Sequence, residues 1–161
     1  MIRVVALALL LSGCFAHMQP LNTPSGKPQV YIAGVTAQTV IDDLVNNVMT
    51  AGSGAYVQEA TDRRVVFVRE ETGMGAAMLY GSSYDATPQS RLIFTVTPYQ
   101  DGVNVFANGF MVTNPGTAFE RSTDVMYGKD ARDIQAALEA IKSRLEVIKV
   151  ASDPPPGLQP E

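Results

Sequence analysis

The 161 residues are 46% hydrophobic and 17% charged, enough apolar side chain for one folded domain and too much for wholesale disorder. Twelve Lys and Arg against sixteen Asp and Glu leave a formal charge of −4, which argues against a general nucleic-acid binder, because such proteins show a basic footprint. A single Cys excludes an intramolecular disulfide, and a single His limits metal and acid–base chemistry.

The first residues carry the strongest signal. Met1-Ile2-Arg3 is short and positive, Val4 to Leu11 is an uninterrupted apolar run, and Ser12-Gly13-Cys14 follows. Positive, apolar and then small is the order of a secretory signal peptide. Eight apolar residues fall far short of the roughly 20 that a spanning helix needs. Leu11-Ser12-Gly13-Cys14 resembles the lipobox of bacterial lipoprotein precursors at every position. The resemblance implies diacylglyceryl transfer to the Cys14 thiol, cleavage just before it, and a mature chain that starts at Cys14 and is held in a lipid bilayer. Two or three acyl chains anchor stably where one binds only marginally. Phe15 stands where an Asp would mark inner-membrane retention in many diderm bacteria, so the resemblance implies the periplasmic face of the outer membrane. An inner-membrane site or the outer surface of a monoderm cell are the alternatives.

Loss of residues 1–13 would remove Arg3 and leave 11 basic against 16 acidic side chains, a net −5. Residues 14–29 contain Pro20, Pro24, Pro28, Asn22, Ser25 and Gly26 without an apolar period, and they read as a tether. Fifteen residues from Phe15 to Gln29 would reach roughly 50 Å fully extended, at about 3.3–3.6 Å each. Residues 151–161 read as an exposed Pro-rich tail, and seven of the ten prolines lie in these two segments. The folded unit is therefore expected over residues 30–150.

Within it, Val30 to Val35 suits a short strand. Thr36 to Thr50 places Val40, Ile41, Leu44, Val45, Val48 and Met49 on one helical stripe, with Thr36 as cap. Ala55 to Glu59 and Arg64 to Arg69 read as two strands, and Val65-Val66-Phe67-Val68 suits a strand covered on both faces. Glu70 to Gln89 reads as mostly loop, with Ala76 to Tyr80 as a possible short element. Arg91 to Pro98 and Val103 to Thr113 form the clearest hairpin, with Asp101-Gly102 as a type I′ turn. That turn pairs Val96 with Ala107, Phe94 with Gly109 and Leu92 with Met111 on an apolar face. Thr97–Phe106, Thr95–Asn108 and Ile93–Phe110 then lie on the mixed face. Asn114-Pro115-Gly116 turns into a further strand within Ala118 to Tyr127. A last helix is expected from a cap at Asp130 to Val150, with Ile134, Leu138, Ile141, Leu145 and Ile148 on one side. The order predicts an α+β fold: an antiparallel sheet of about four to five strands with the N-terminal and C-terminal helices on one face.

Little of this points to catalysis. His17 lies in the expected tether, so His-based triads and His/Cys metal sites lack their members. Asp42-Asp43 and Glu70-Glu71 are neighbours that point apart, and no metal, cofactor or catalytic residue is expected. Two surfaces are candidates for a partner: the mixed hairpin face, with Ile93, Thr95, Thr97, Phe106 and Phe110, and the loop carrying Met74, Met78, Tyr80 and Tyr84. The expectation is a membrane-anchored, non-enzymatic interaction or assembly module of the bacterial envelope, compatible with a phage or plasmid origin, with another envelope protein as partner. The alternatives are a lipid-anchored hydrolase using carboxylates alone, and a carrier of small ligands or lipid between sheet and helix.

Overall fold

A computed structural model describes residues 20–73 and 86–152. In chain order the elements are β1 (Gln29–Ala33), α1 (Ala37–Thr50), β2 (Tyr56–Ala60), β3 (Arg64–Glu70), β4 (Gln89–Tyr99), β5 (Gly102–Thr113), β6 (Arg121–Asp124) and α2 (Gly128–Ser152). The fold is α+β. The strands form one antiparallel sheet in the order β1-β5-β4-β3-β2. β6 also pairs with β5, along residues 110–113, while β1 takes residues 102–106. β1 and β6 thus lie end to end on the same side of one long strand.

Both helices bury their stripes on a single face of the sheet. Val40, Ile41 and Leu44 of α1 and Leu138, Ile141 and Leu145 of α2 share a core with Val30, Ile32, Val65, Phe67, Phe94, Val96, Val103, Val105 and Ala107. Side chains alternate between faces along a strand, so the odd residues of β5 and the even residues of β4 form this inner face. Thr36 caps α1 as its sequence predicts, its hydroxyl accepting from the Thr39 amide. Val65 to Val68 are buried on both faces, as their composition predicts.

The central hairpin keeps its predicted faces but not its predicted pairing. The turn is Gln100-Asp101, with Gln100 at φ 51, and Gly102 already belongs to β5 opposite Tyr99. The register is displaced by two residues: Val96 meets Val105, Phe94 meets Ala107 and Leu92 meets Gly109. Because the displacement is even, no side chain changes face. Gly102 is needed for close approach instead of for a turn. A Cβ there would lie 2.1 Å from the carbonyl oxygen of Ile32 on β1. Gly109 is likewise covered by Met126, whose Cε lies 2.7 Å from where a Cβ would be, and not by Phe94.

Three boundaries differ from expectation. The last predicted strand, within Ala118 to Tyr127, shrinks to β6. α2 begins at Gly128, so Asp130 sits in its first turn, and it runs on to Ser152. At the other end, the segment read as tether is already part of the domain from Leu21. Leu21 donates its amide to Gly26, Thr23 its hydroxyl to the Lys27 carbonyl, and Pro28 is fully buried with its carbonyl bonded by Ala107. Lys27 reaches across the outer face to Asn108 (3.1 Å) and Asp124 (2.8 Å). Cys14, His17, Met74, Met78, Tyr80, Tyr84 and the Ala76–Tyr80 segment lie outside the described residues.

Candidate functional site: a groove between diverging helices

The two helices lean toward different parts of the sheet. α2 follows the edge strand β1: the Gln135 side chain accepts from the Gln29 amide (2.9 Å) and donates to its carbonyl (3.1 Å). An edge strand presents an unpaired row of such groups, and here an amide side chain satisfies one pair of them. α1 lies over β4, β3 and β2. Near the β4–β5 turn the helices meet, through Leu44, Leu138, Ile141 and Leu145 and through an Arg144–Asp43 ion pair. Toward the opposite end of the sheet they separate.

The separation leaves an apolar groove of about 700 Å³. Its floor is Phe67, Leu92, Phe94 and Gly109. One wall is the C-terminal half of α1 and its cap, with Leu44, Val48 and Ala51; the other is Met126 and the first half of α2, with Ile134 and Ile141. The size and the predominance of aliphatic and aromatic lining suit a small-molecule site. Leu92 is informative. It lies on the inner face of a central strand, where neighbouring Phe94 and Val96 are buried, yet it is only half-buried. Val48 and Ile134, facing the groove from the two walls, are half-buried as well.

Polar groups gather at the mouth. Arg69, Glu71, Ser90 and Asp130 line it, with Asn47 and Ser53 from the α1 side. Arg69 donates to Glu71 through Nη2 (2.7 Å) and Nε (3.1 Å). Burial pushes the Glu71 carboxyl up, but hydrogen bonds from Ser90 and Arg69, together with the Arg69 charge, outweigh it and hold the group below its ordinary value. Arg91 contributes only its backbone to the groove; its side chain alternates onto the outer face, where it donates to Glu120 (3.3 Å) and its Nε is buried without a hydrogen-bond partner among the described residues.

The other face of the sheet brings together the residues singled out on the hairpin. Ile93, Thr95, Thr97, Phe106 and Phe110 share it, now with Thr95 opposite Phe106, Ile93 opposite Asn108 and Arg91 opposite Phe110. All but the exposed Thr97 are half-buried. Tyr31 and Tyr99 add an edge-to-face pair at 6.0 Å beside the turn. The Tyr31 hydroxyl donates to Asp101, and chiefly that hydrogen bond pushes its pKa up to about 12.

Glu70 and Glu71 both border a surface cleft with Tyr56 and Arg69, and Asp42 borders another with Asp62. Asp43 is engaged by Arg144, Asp42 accepts from Gln38 (2.7 Å), and Glu71 is held by Arg69. Among the described residues no three His, Cys, Asp or Glu side chains cluster as a metal site would need, and no helix is long and apolar enough to cross a membrane. Sequence reasoning placed Leu92, Val48 and Ile134 simply among apolar stripes. Their spacing holds no signal for a groove, which arises from the divergence of two helices. Comparison with protein-family models, with curated proteins and with solved structures gave no match.

Proposed function

We propose that this chain is a bacterial envelope lipoprotein, anchored through acylated Cys14 at the periplasmic face of the outer membrane, whose domain works by holding an apolar ligand in the groove between sheet and helices. The groove carries the reading. Apolar surface left open to water on the inner face of a sheet lowers stability, and a ligand that covers it recovers the loss. The lipobox supplies the location, and the early start of the folded domain supports close apposition. If Cys14 carries the lipid, Phe15 to Gln19 alone precede the first described residue. They span about 18 Å at most at 3.3–3.6 Å each. The groove is then confined to a thin layer beside the bilayer, where its effective concentration toward membrane-bound molecules is high.

Intact mass of the protein extracted from membranes tests the anchor. Loss of residues 1–13 together with added acyl mass is expected, and Cys14→Ala should release or misprocess the chain. A product that starts elsewhere and keeps a free thiol contradicts it. Organic extraction of the same purified protein tests the groove, with a stoichiometric apolar molecule as the expected result.

A second reading rests on the outer face, where Ile93, Phe106 and Phe110 lie side by side and only partly covered. In that reading the domain is an interaction or assembly module for another envelope protein. Crosslinking in intact cells from a photoreactive group at Thr97 separates the two. One specific protein adduct at native expression supports the second reading, and adducts no stronger than background count against it.

A further inference from the structure

We propose that residues 153–161 of this chain dock on the outer face of the sheet beside the β4–β5 turn, with Pro154-Pro155-Pro156 against the rings of Tyr31 and Tyr99 and Glu161 beside Arg63 and Arg64. The contact is independent of the groove and of the anchor.

Aromatic surface stands open at that place. Tyr31 and Tyr99 alternate onto the outer face, away from both helices. Tyr99 is 52% exposed and Tyr31 half-buried, and their rings meet nearly at right angles. In its own row of the sheet Tyr99 has only Gly102 and Ala33, so no side chain larger than a methyl stands beside its ring. Both hydroxyls are engaged locally: Tyr31 donates to Asp101, and Tyr99 accepts from Gln100 (3.5 Å). The rings themselves are what this surface offers, and perpendicular rings present the face and the edge on which pyrrolidine rings pack.

The sequence supplies the occupant. Asp153 to Glu161 holds four prolines in nine residues. A proline run is preformed as a polyproline II helix, so it loses little entropy on docking against aromatic rings. α2 delivers it to the right end. Glu146 accepts from the Ala33 amide (3.5 Å), and Ser152 lies six residues further on, roughly 9 Å at about 1.5 Å each. Nine residues of polyproline II reach roughly 28 Å at about 3.1 Å each. From β1 across β5 and β4 to β3 is three strand spacings, roughly 14 Å at about 4.8 Å each. The segment is long enough to round the sheet and cross from Tyr31 to the β2–β3 turn. Charge favours that path. The Arg63 carbonyl accepts from the Val96 amide (2.8 Å), next to Thr97, which shares a row with Tyr31. The Arg63 and Arg64 side chains are 67% and 47% exposed, and their ion pairs with Asp62 and Glu59 are long, at 3.7 Å. Both guanidinium groups keep donors for the Glu161 carboxylate. A short link to α2 also gives the segment an effective concentration that a separate peptide does not reach.

The test compares the chain from residue 14 onward, carrying Cys14→Ala, with a variant of it in which Pro154, Pro155 and Pro156 are all Gly. A third chain ends after Ser152 and contains every described residue. The Tyr31 and Tyr99 ring signals and the Thr97 amide signal in NMR spectra should move alike in both altered chains, while those of Val40 and Leu44 stay in place. A synthetic peptide of residues 153–161 should bind the shortened chain saturably. It should bind the full chain at least about tenfold more weakly, because the site is taken. Tyr99→Ala in the shortened chain should weaken the peptide at least about fivefold, and Arg63→Glu about two- to threefold. The proline variant leaves the folded domain unaltered, so the outcome does not depend on the folding of Tyr99→Ala. Coincident Tyr31 and Tyr99 signals in the three chains, or equal peptide binding by the full and shortened chains, overturns the proposal. Differences that appear only as protein concentration rises would put the segment on a second copy and overturn it as well.

Discussion

The two ends of the inner sheet face are built from the same helix pair and the same strands, yet one is sealed and the other open. Beside the β4–β5 turn, Ile32, Val96, Val103 and Val105 are at most 1% exposed under Leu138, Leu145 and Leu44. Ten to fifteen ångströms along the strands, by the usual rise of about 3.3 Å per residue, Leu92 remains partly open between Val48 and Ile134. α2 is bonded to the edge strand β1 through Gln135 to Gln29 and, further along, through Glu146 accepting from the Ala33 amide, and Arg144 ties it to Asp43 of α1 beside the sealed end. α1 lies over β4, β3 and β2, and the groove opens between the two helices. The sealed end supplies stability, and the open end is the candidate site.

Substitutions at the two ends should therefore differ in size. Leu138→Ala, at the sealed end, should cost about 2–5 kcal/mol of unfolding free energy, because a fully buried side chain leaves a cavity that close-packed neighbours cannot fill. Gly102→Ala should cost about 1–3 kcal/mol, since its new methyl meets the Ile32 backbone and β1 must shift. Leu92→Ala should cost less than Leu138→Ala, about 1–2 kcal/mol, as part of its surface is already solvated. Gly109→Ala should cost under about 1 kcal/mol, because the atom it meets is the far end of the flexible Met126 side chain. Urea titration of the four variants checks the ranking. A Leu92→Ala loss equal to that of Leu138→Ala would mean that the open end is not open in solution.

The smallest effect concerns the strut between the N-terminal segment and the groove wall. Asp124 accepts from Lys27 and from the Met126 amide (2.8 Å each). Burial raises its pKa, but these two hydrogen bonds and the Lys27 charge outweigh that and hold it below the ordinary 3.8. A group whose folded pKa is depressed adds stability that is present above the ordinary value and is lost as pH falls through the lowered one. Both side chains are about two-fifths exposed, so the contribution should stay below about 1 kcal/mol. Asp124→Asn should accordingly flatten the loss of stability between neutral pH and pH 3. An unchanged slope would show that the strut does not form in solution.

Much of the fold is legible in the sequence because local patterns and tertiary packing agree. Thr36 and the Val40–Ile41–Leu44 stripe specify α1, and Leu138, Ile141 and Leu145 specify the buried side of α2. The alternation along β4 and β5 assigns every residue to its face. The register is not legible. Asp101-Gly102 has the composition of a two-residue turn, and nothing local reveals that Gly102 is reserved for the passage of β1. The tether boundary was obscured in the same way: Pro24, Ser25 and Gly26 look like linker, but Lys27 and Pro28 find partners on β5 and β6. The outer-face residues Ile93, Thr95, Thr97, Phe106 and Phe110 follow from parity alone. The groove does not, because Leu92, Val48 and Ile134 carry the same apolar signature as the core beside them.

Methyl resonances recorded while the chain from residue 14 onward, carrying Cys14→Ala, is titrated with palmitate below its micellar concentration bear most directly on the groove. Occupied, it should move the signals of Leu92, Val48 and Ile134 together, saturating at one equivalent, while those of Val103 and Val105 stay in place. Shifts confined to Ile93 and its neighbours on the opposite side of the sheet, or no saturable shift at any methyl, would contradict it.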